Sequence, residues 1–137
     1  MRVIRVKLAP VDKSNLIRRG LEHFELAWKL AKASSLLDTP PDSALVYSPP
    51  LPLGLTAIEI RRRFGTPFVF NVQDLFPEEA IHMGLIKNPL VIRFLEELEE
   101  KIYREADLIT VHSESNADHV RAKLRGQAPS KVKVVYN

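Results

Sequence analysis

The stretch Asn71-Val72-Gln73-Asp74-Leu75-Phe76-Pro77-Glu78 concentrates the chemistry of this chain. Gln73 and Asp74 leave an apolar run, and Pro77 followed by Glu78 and Glu79 can open a helix whose positive N-terminal end those carboxylates favour. Two readings of Asp74 stand: a carboxylate held for a ligand on a turn stiffened by Pro77, or a local cap of the helix that begins there. Ser113 and Ser115, with Asp118 three residues after Ser115, resemble a capping box with Asp in place of Glu. The free N–H groups of such a helix start could cradle an anion. Of the four histidines, His23 and His119 lie on helical patterns as surface residues, and His82 follows the Pro77 turn. His112 ends an extended run and is the one placed at a ligand-facing edge, where a structural role competes with a catalytic one.

Several chemistries are excluded. The chain has no cysteine, so disulfides, Cys-ligated zinc, iron–sulfur clusters and a thiol nucleophile are ruled out. No G-x-G-x-x-G, P-loop, H-E-x-x-H or G-x-S-x-G occurs, and none of the 5 glycines is adjacent to another. Glu97 and Glu105 satisfy E-x7-E spacing, but on a charged helix acids recur at such intervals by helical repetition.

The elements that must position these groups follow from patterning. The length of 137 residues suits one domain, and 45% hydrophobic with 27% charged residues permits a core. Five runs have strand composition: Val3–Leu8, Ala44–Tyr47, Phe68–Val72, Leu108–Val111 and Val132–Tyr136. The middle three are nearly all apolar, as expected of parallel strands buried on both faces. Ile17, Leu21, Phe24, Trp28 and Ala31, spaced 4, 3, 4, 3, make an apolar helical stripe. Leu53, Ala57, Ile60 and Phe64 make another, stopped by Gly65. A long helix starts with Asn88 as N-cap and Pro89 in the first turn, carrying Val91, Leu95, Leu98 and Ile102 inward. Glu97–Lys101 and Glu100–Arg104 are expected i,i+4 pairs along it. A shorter helix from about Ser115 to Leu124 is closed by Gly126.

The order β-α-β-α-β-α-β-α-β implies right-handed βαβ units. The expected fold is one α/β, Rossmann-like parallel sheet of about five strands with helices on both faces. Ligands of such sheets bind beyond the carboxyl ends of the strands. Here that edge holds Ser48-Pro49-Pro50, Gln73 through Glu78, His112 through Ser115, and Asn137.

The net charge of +3 is too small to argue for nucleic acid, and Phe24, Trp28 and Tyr47 sit on core patterns. Its distribution is uneven. Residues 1–35 carry eight Lys/Arg against three acids, and residues 74–107 carry nine acids against four bases. The basic end can face phosphates or an anionic membrane surface, or simply be solvated. No apolar run approaches the ~18 residues of a membrane span, and Met1-Arg2-Val3-Ile4-Arg5-Val6-Lys7 lacks the continuous apolar core of a signal peptide. The expectation is a soluble, cytoplasmic protein, with the inner face of the membrane as an alternative location.

Three stretches together resemble a known family. Val46-Tyr47-Ser48-Pro49-Pro50-Leu51-Pro52-Leu53-Gly54-Leu55, then Gly65 through Glu78, is similar to the N-terminal domain of family 4 glycosyltransferases. The subgroup resembled makes bacterial surface polysaccharides such as colanic acid, O-antigen and capsule. Ile102 through Ser115 is similar to that family's YR-x-AD-x-I-x-V-x-S stretch, and Lys131 through Asn137 to the strand that closes its first domain. The resemblance implies a GT-B fold of two Rossmann-like domains, the first facing the acceptor and the second holding the nucleotide sugar. It implies no cofactor and no protein-bound metal. Residues 1–137 then correspond to a partial N-terminal domain, truncated at both ends, lacking the donor-binding E-x7-E of the second domain and inactive alone.

Under this resemblance Asp74, Gln73, Ser48, Pro49, Glu78 and Ser113 are substrate-binding candidates. Many members carry His where this chain has Gln73, and Gln cannot act as a base, so no catalytic residue is assigned. The implied partners are a nucleotide-sugar-binding C-terminal domain and a saccharide or lipid-linked acceptor, with no nucleic acid and with peripheral membrane contact left open. A homo-oligomer, most simply a dimer, is expected from apolar surface left uncovered. The alternative reading is a non-catalytic binding or interaction module on the same framework.

Overall fold

Four strands run parallel in the order of the chain: β1 (Ala44–Ser48), β2 (Phe68–Val72), β3 (Leu108–Val111) and β4 (Val132–Val134). The helices are α1 (Leu16–Ala33), α2 (Leu53–Phe64), α3 (Glu78–His82), α4 (Pro89–Glu105) and α5 (Glu114–Lys123). This computed structural model describes residues 3–8 and 16–136, without the side chains of Leu16, Ile17 and Arg19. Met1, Arg2, Pro10, Lys13 and Asn137 lie outside the described residues, as does the side chain of Ile17 in the first apolar stripe.

The α/β, Rossmann-like architecture expected from the sequence is the one observed, with four strands rather than about five. The difference is the run Val3–Leu8. It alternates between outward and half-buried positions like an edge strand, yet it joins no ladder. Its Lys7 carbonyl instead accepts a hydrogen bond of 2.9 Å from Lys29 on α1.

Register explains where the core sits. Val46 lies opposite Phe70, Phe70 opposite Ile109, and Ile109 opposite Val132, so one sheet face presents a continuous apolar row. Against it pack Ala57 of α2, Leu98, Ile102 and Tyr103 of α4, and Ala117 and Val120 of α5, all buried. Because each successive strand is added on the same side, right-handed crossovers carry α2, α3–α4 and α5 over one face, in contrast to the helices on both faces expected from the sequence. The opposite face carries Tyr47, Asn71, Thr110 and Lys133 in one row, and Leu45, Val69 and Leu108 in the next. At its edge Leu45 is 60% and Tyr47 54% exposed, so β1 is buried on one face, in contrast to the two-sided burial expected of it.

The stop and start signals act as expected. Gly65 ends α2 in the left-handed region at φ 71°, and its N–H reaches Arg61 O at 2.7 Å. The Asn88 side chain accepts from Leu90 N at 2.9 Å and Val91 N at 3.4 Å. Leu95, Leu98 and Ile102 are buried, while Val91 is exposed. Glu100 pairs with Arg104 at 3.8 Å, but Glu97 pairs with Arg93 at 2.8 Å rather than with Lys101. Either neighbour satisfies the helical spacing.

Two expectations fail for packing reasons. The first concerns α1, whose Leu21 is 64% and Trp28 62% exposed, while Ala27 is buried. The helix meets α2 at Ala27, whose carbonyl accepts from Thr56 Oγ1 at 2.9 Å. A contact centred on so small a residue turns the bulky stripe partly outward. The second concerns α5. Ser113 is the N-cap, accepting from Asn116 N at 3.1 Å, and Asp118 bonds Arg121 at 3.0 Å instead of closing a capping box.

The amino end of the sheet is tied together by one carboxylate. Asp107 Oδ2 accepts from Phe68 N at 2.9 Å and from Arg61 at 2.6 Å. Arg61 also donates to Glu105 O at 2.6 Å, and Lys131 donates to Arg104 O at 2.9 Å and Ala106 O at 3.0 Å. The ends of α2 and α4 and the starts of β2 and β4 are thereby fixed at one place.

Candidate functional site

At the carboxyl end the polar groups differ in how far they are committed to the fold. Ser48, a candidate from the sequence, is only 2% exposed, and its carbonyl extends the β1–β2 ladder by accepting from Gln73 N at 2.9 Å. Its buried side chain is therefore shielded, and the exposed group at this turn is Pro49. From Pro50 to Leu55 the backbone winds into α2 through bonds of 2.9–3.1 Å.

Beyond β2 the side chains form a chain of donors and acceptors. Gln73 donates to Asn71 Oδ1, and Asn71 donates to Thr110 Oγ1 at 2.9 Å. Gln73 is thereby oriented by the open sheet face. Asp74 is exposed, and its carboxylate joins no hydrogen bond or ion pair among the described residues. The N-cap of α3 is Pro77, without a side-chain bond, so Asp74 does not serve as its cap. The first turn of α3 is instead supported by Glu79, whose backbone N–H meets Leu75 O at 2.9 Å and whose carboxylate accepts from Leu75 N at 3.4 Å.

Glu78 and Ser113 are drawn away from the edge. Glu78 lies 2.8 Å from His119 Nε2 on α5, a close polar contact without hydrogen-bond alignment. Ser113 is occupied as the cap of α5. His112 does sit at the edge, with Nδ1 3.1 Å from Val135 O. A proton on Nδ1 donated to that carbonyl leaves Nε2 as the lone-pair nitrogen, and Nε2 is buried without a partner. His82 is exposed.

Patterning alone missed a polar network beneath this edge. Glu99 on α4 is 1% exposed, accepts from Tyr103 Oη at 2.9 Å and faces Lys123 Nζ of α5 at 3.4 Å. Tyr103 packs edge-on against Phe70, with ring centres 6.1 Å apart. The sequence signal was present: Glu99 falls four residues after Leu95 and three before Ile102, on the inward stripe. Burial pushes the Glu99 carboxyl above its ordinary range, opposed by Lys123 and Tyr103. Burial also pushes the Tyr103 hydroxyl well up, reinforced by Glu99. Burial holds the His119 imidazole below its ordinary value, opposed by Glu78.

A prediction follows for stability. With a folded-state pKa above the unfolded one, Glu99 contributes fully below about pH 4.5, and its contribution declines as pH rises through its folded value. Glu99→Gln keeps an acceptor for Tyr103 and removes the ionisation. Relative to the parent, its urea midpoint should move in its favour between about pH 4 and pH 7. A gap that moves the other way would mean that Lys123 outweighs the burial of the carboxylate.

The arrangement suits recognition of a hydroxyl-bearing ligand. An exposed carboxylate stands on a short turn next to an oriented carboxamide, and the His112 imidazole ends the neighbouring strand with its free nitrogen buried. Among the described residues no group of three His, Asp or Glu side chains is placed to hold a metal ion. Residues 1–137 match the family model described as glycosyl transferase 4-like domain. No curated protein and no solved structure matches the chain.

Proposed function

We propose that this chain, which belongs to the glycosyl transferase 4-like domain family, forms the acceptor side of an enzyme that moves a sugar from a nucleotide donor to a saccharide or lipid-linked acceptor. The biological setting we infer is surface-polysaccharide synthesis. The observation that carries the site assignment is the uncommitted Asp74 carboxylate at the carboxyl edge, where Glu78, Ser48 and Ser113 are engaged elsewhere. In the transfer, an acceptor hydroxyl oxygen attacks the anomeric carbon. The bond from that carbon to the diphosphate breaks, the nucleoside diphosphate leaves, and the hydroxyl proton is released to solvent. Asp74 accepts a hydrogen bond from the acceptor, and Gln73, which cannot take a proton, orients it.

The donor is held by a second, nucleotide-sugar-binding domain. The basis is that these 137 residues contain no glycine-rich loop to cradle a diphosphate or stabilise its departure. The purified chain incubated with UDP-, GDP- or dTDP-sugars and a lipid-linked saccharide should give no transfer above an enzyme-free control. Joined to the donor domain of a family relative, it should give transfer. Turnover by the chain alone would defeat the acceptor-side assignment, and failure of every joined pair would favour a binding module.

A further inference from the structure

Large apolar side chains stand uncovered around the start of α4. Leu90, Val91 and Phe94 are exposed on its first turns, Leu90 at 77%, and the turn leading into the helix carries exposed Met83 and Leu85. The Phe94 ring lies 5.8 Å from that of Phe24 on α1, so the patch crosses to α1, where Leu21 stands exposed one turn earlier. With about 200 Å² per large side chain, roughly half or more of it uncovered, these residues present roughly 700 Å². That exceeds the ~300–600 Å² of the largest patch on a typical monomer and approaches the ~800 Å² that each partner buries in a standard interface. The border of the patch carries both signs of charge. Arg93 and Glu97 lie one turn apart on the solvent side of α4, 2.8 Å from each other and largely exposed.

We propose that a second copy of the chain docks on this patch across a twofold axis, with the two α4 helices crossing antiparallel at Phe94. Such a crossing sets Phe94 against the partner's Phe94 and lays Leu90 of each copy along the flank of that pair. It also reverses the order of the charges. Arg93 of each copy comes within reach of the partner's Glu97, and the reciprocal contact forms by symmetry. The surface is therefore complementary to itself in charge as well as apolar. An anionic bilayer or a nucleic acid would gain from Arg93 and lose by Glu97, whereas a second copy satisfies both. The open sheet face is a poorer match, because Asn71, Thr110 and Lys133 stand among its apolar residues. This inference does not rest on the transferase reading.

The test is sedimentation of the full chain from about 1 to 200 µM, where a dimer shows as a mass that rises with concentration. The expected result is a dimer with a dissociation constant of about 1–50 µM. Leu90→Glu places a carboxylate in the first turn of α4, where the helix end favours it, at a side chain that touches little of the fold. It should weaken association at least about tenfold, with the circular dichroism spectrum and the urea midpoint of the monomer kept. Arg93→Glu should weaken association several-fold by setting acids of the two copies together. Combined with Glu97→Arg, it should return to within about threefold of the parent. Leu45→Glu, on the exposed edge of the sheet, should leave association unchanged. A chain still monomeric at about 200 µM, undiminished association in Leu90→Glu, a double reversal no better than the single one, or loss of the dimer in Leu45→Glu would each overturn the proposal. A monomeric chain that holds phosphatidylglycerol vesicles through Leu90 would do the same.

Discussion

Asp74→Asn should lower sugar transfer at least about tenfold, equivalent to ~1.4 kcal/mol in the barrier, in this chain joined to a nucleotide-sugar-binding domain. The melting temperature should stay within about 1 °C of the parent, because the carboxylate contributes no bond to the fold. Asparagine has nearly the same shape and can still accept a hydrogen bond, so a role in packing or turn formation would survive the change. What disappears is the charge that strengthens a hydrogen bond from an acceptor hydroxyl as its proton is lost. The loss should appear in kcat rather than in KM for the nucleotide sugar, whose site we propose lies on another domain. Undiminished transfer would remove Asp74 from the reaction.

Gly54→Ala should destabilise the chain by about 1–3 kcal/mol, read from the urea midpoint. A Cβ at this position would lie 2.5, 2.7 and 2.8 Å from three side-chain atoms of Ile102. Ile102 is fully buried within the core, so it cannot swing aside without displacing its neighbours. The gain in helix propensity from glycine to alanine, up to about 1 kcal/mol, opposes the effect but is smaller at the first turn of a helix. Ile102→Ala alone should cost about 2–5 kcal/mol, and in that background Gly54→Ala should cost nothing or partly fill the cavity. Additive effects of the two changes would show that α2 shifts as a body instead of colliding.

Much of this fold was legible in the residues, and the reasons for the remainder are local. Strong stop and start signals, such as Gly65 after α2 and Asn88-Pro89 before α4, act on a few neighbouring atoms and so are legible locally. Spacing puts Leu21 and Trp28 on a core stripe, because it reveals a stripe but not how wide a contact its helix makes. Ala27, too small to weigh heavily in a pattern, decided the contact. Val3–Leu8 has the alternation of a strand, but a strand exists only through a partner, and its partner here is α1. At the site, the position of Asp74 at a strand's carboxyl end followed from the order of elements. The engagement of Glu78 with His119 and the burial of Ser48 did not, since both depend on contacts between segments distant in sequence. Glu99 stands among other acids in a charged helix, so its type does not mark it as buried.

The clamp built on Asp107 gives the chain an asymmetric division of labour. The stretch Tyr103-Arg104-Glu105-Ala106-Asp107, among the most recognisable in the sequence, lies at the amino end of the sheet, opposite the end where ligands of such sheets bind. Under the proposed function, changes at the Gln73-Asp74 turn should alter the acceptor used without endangering the fold. In a mutational library the two regions should therefore separate by assay: changes at the clamp sort by yield of folded protein, and changes at the turn sort by product.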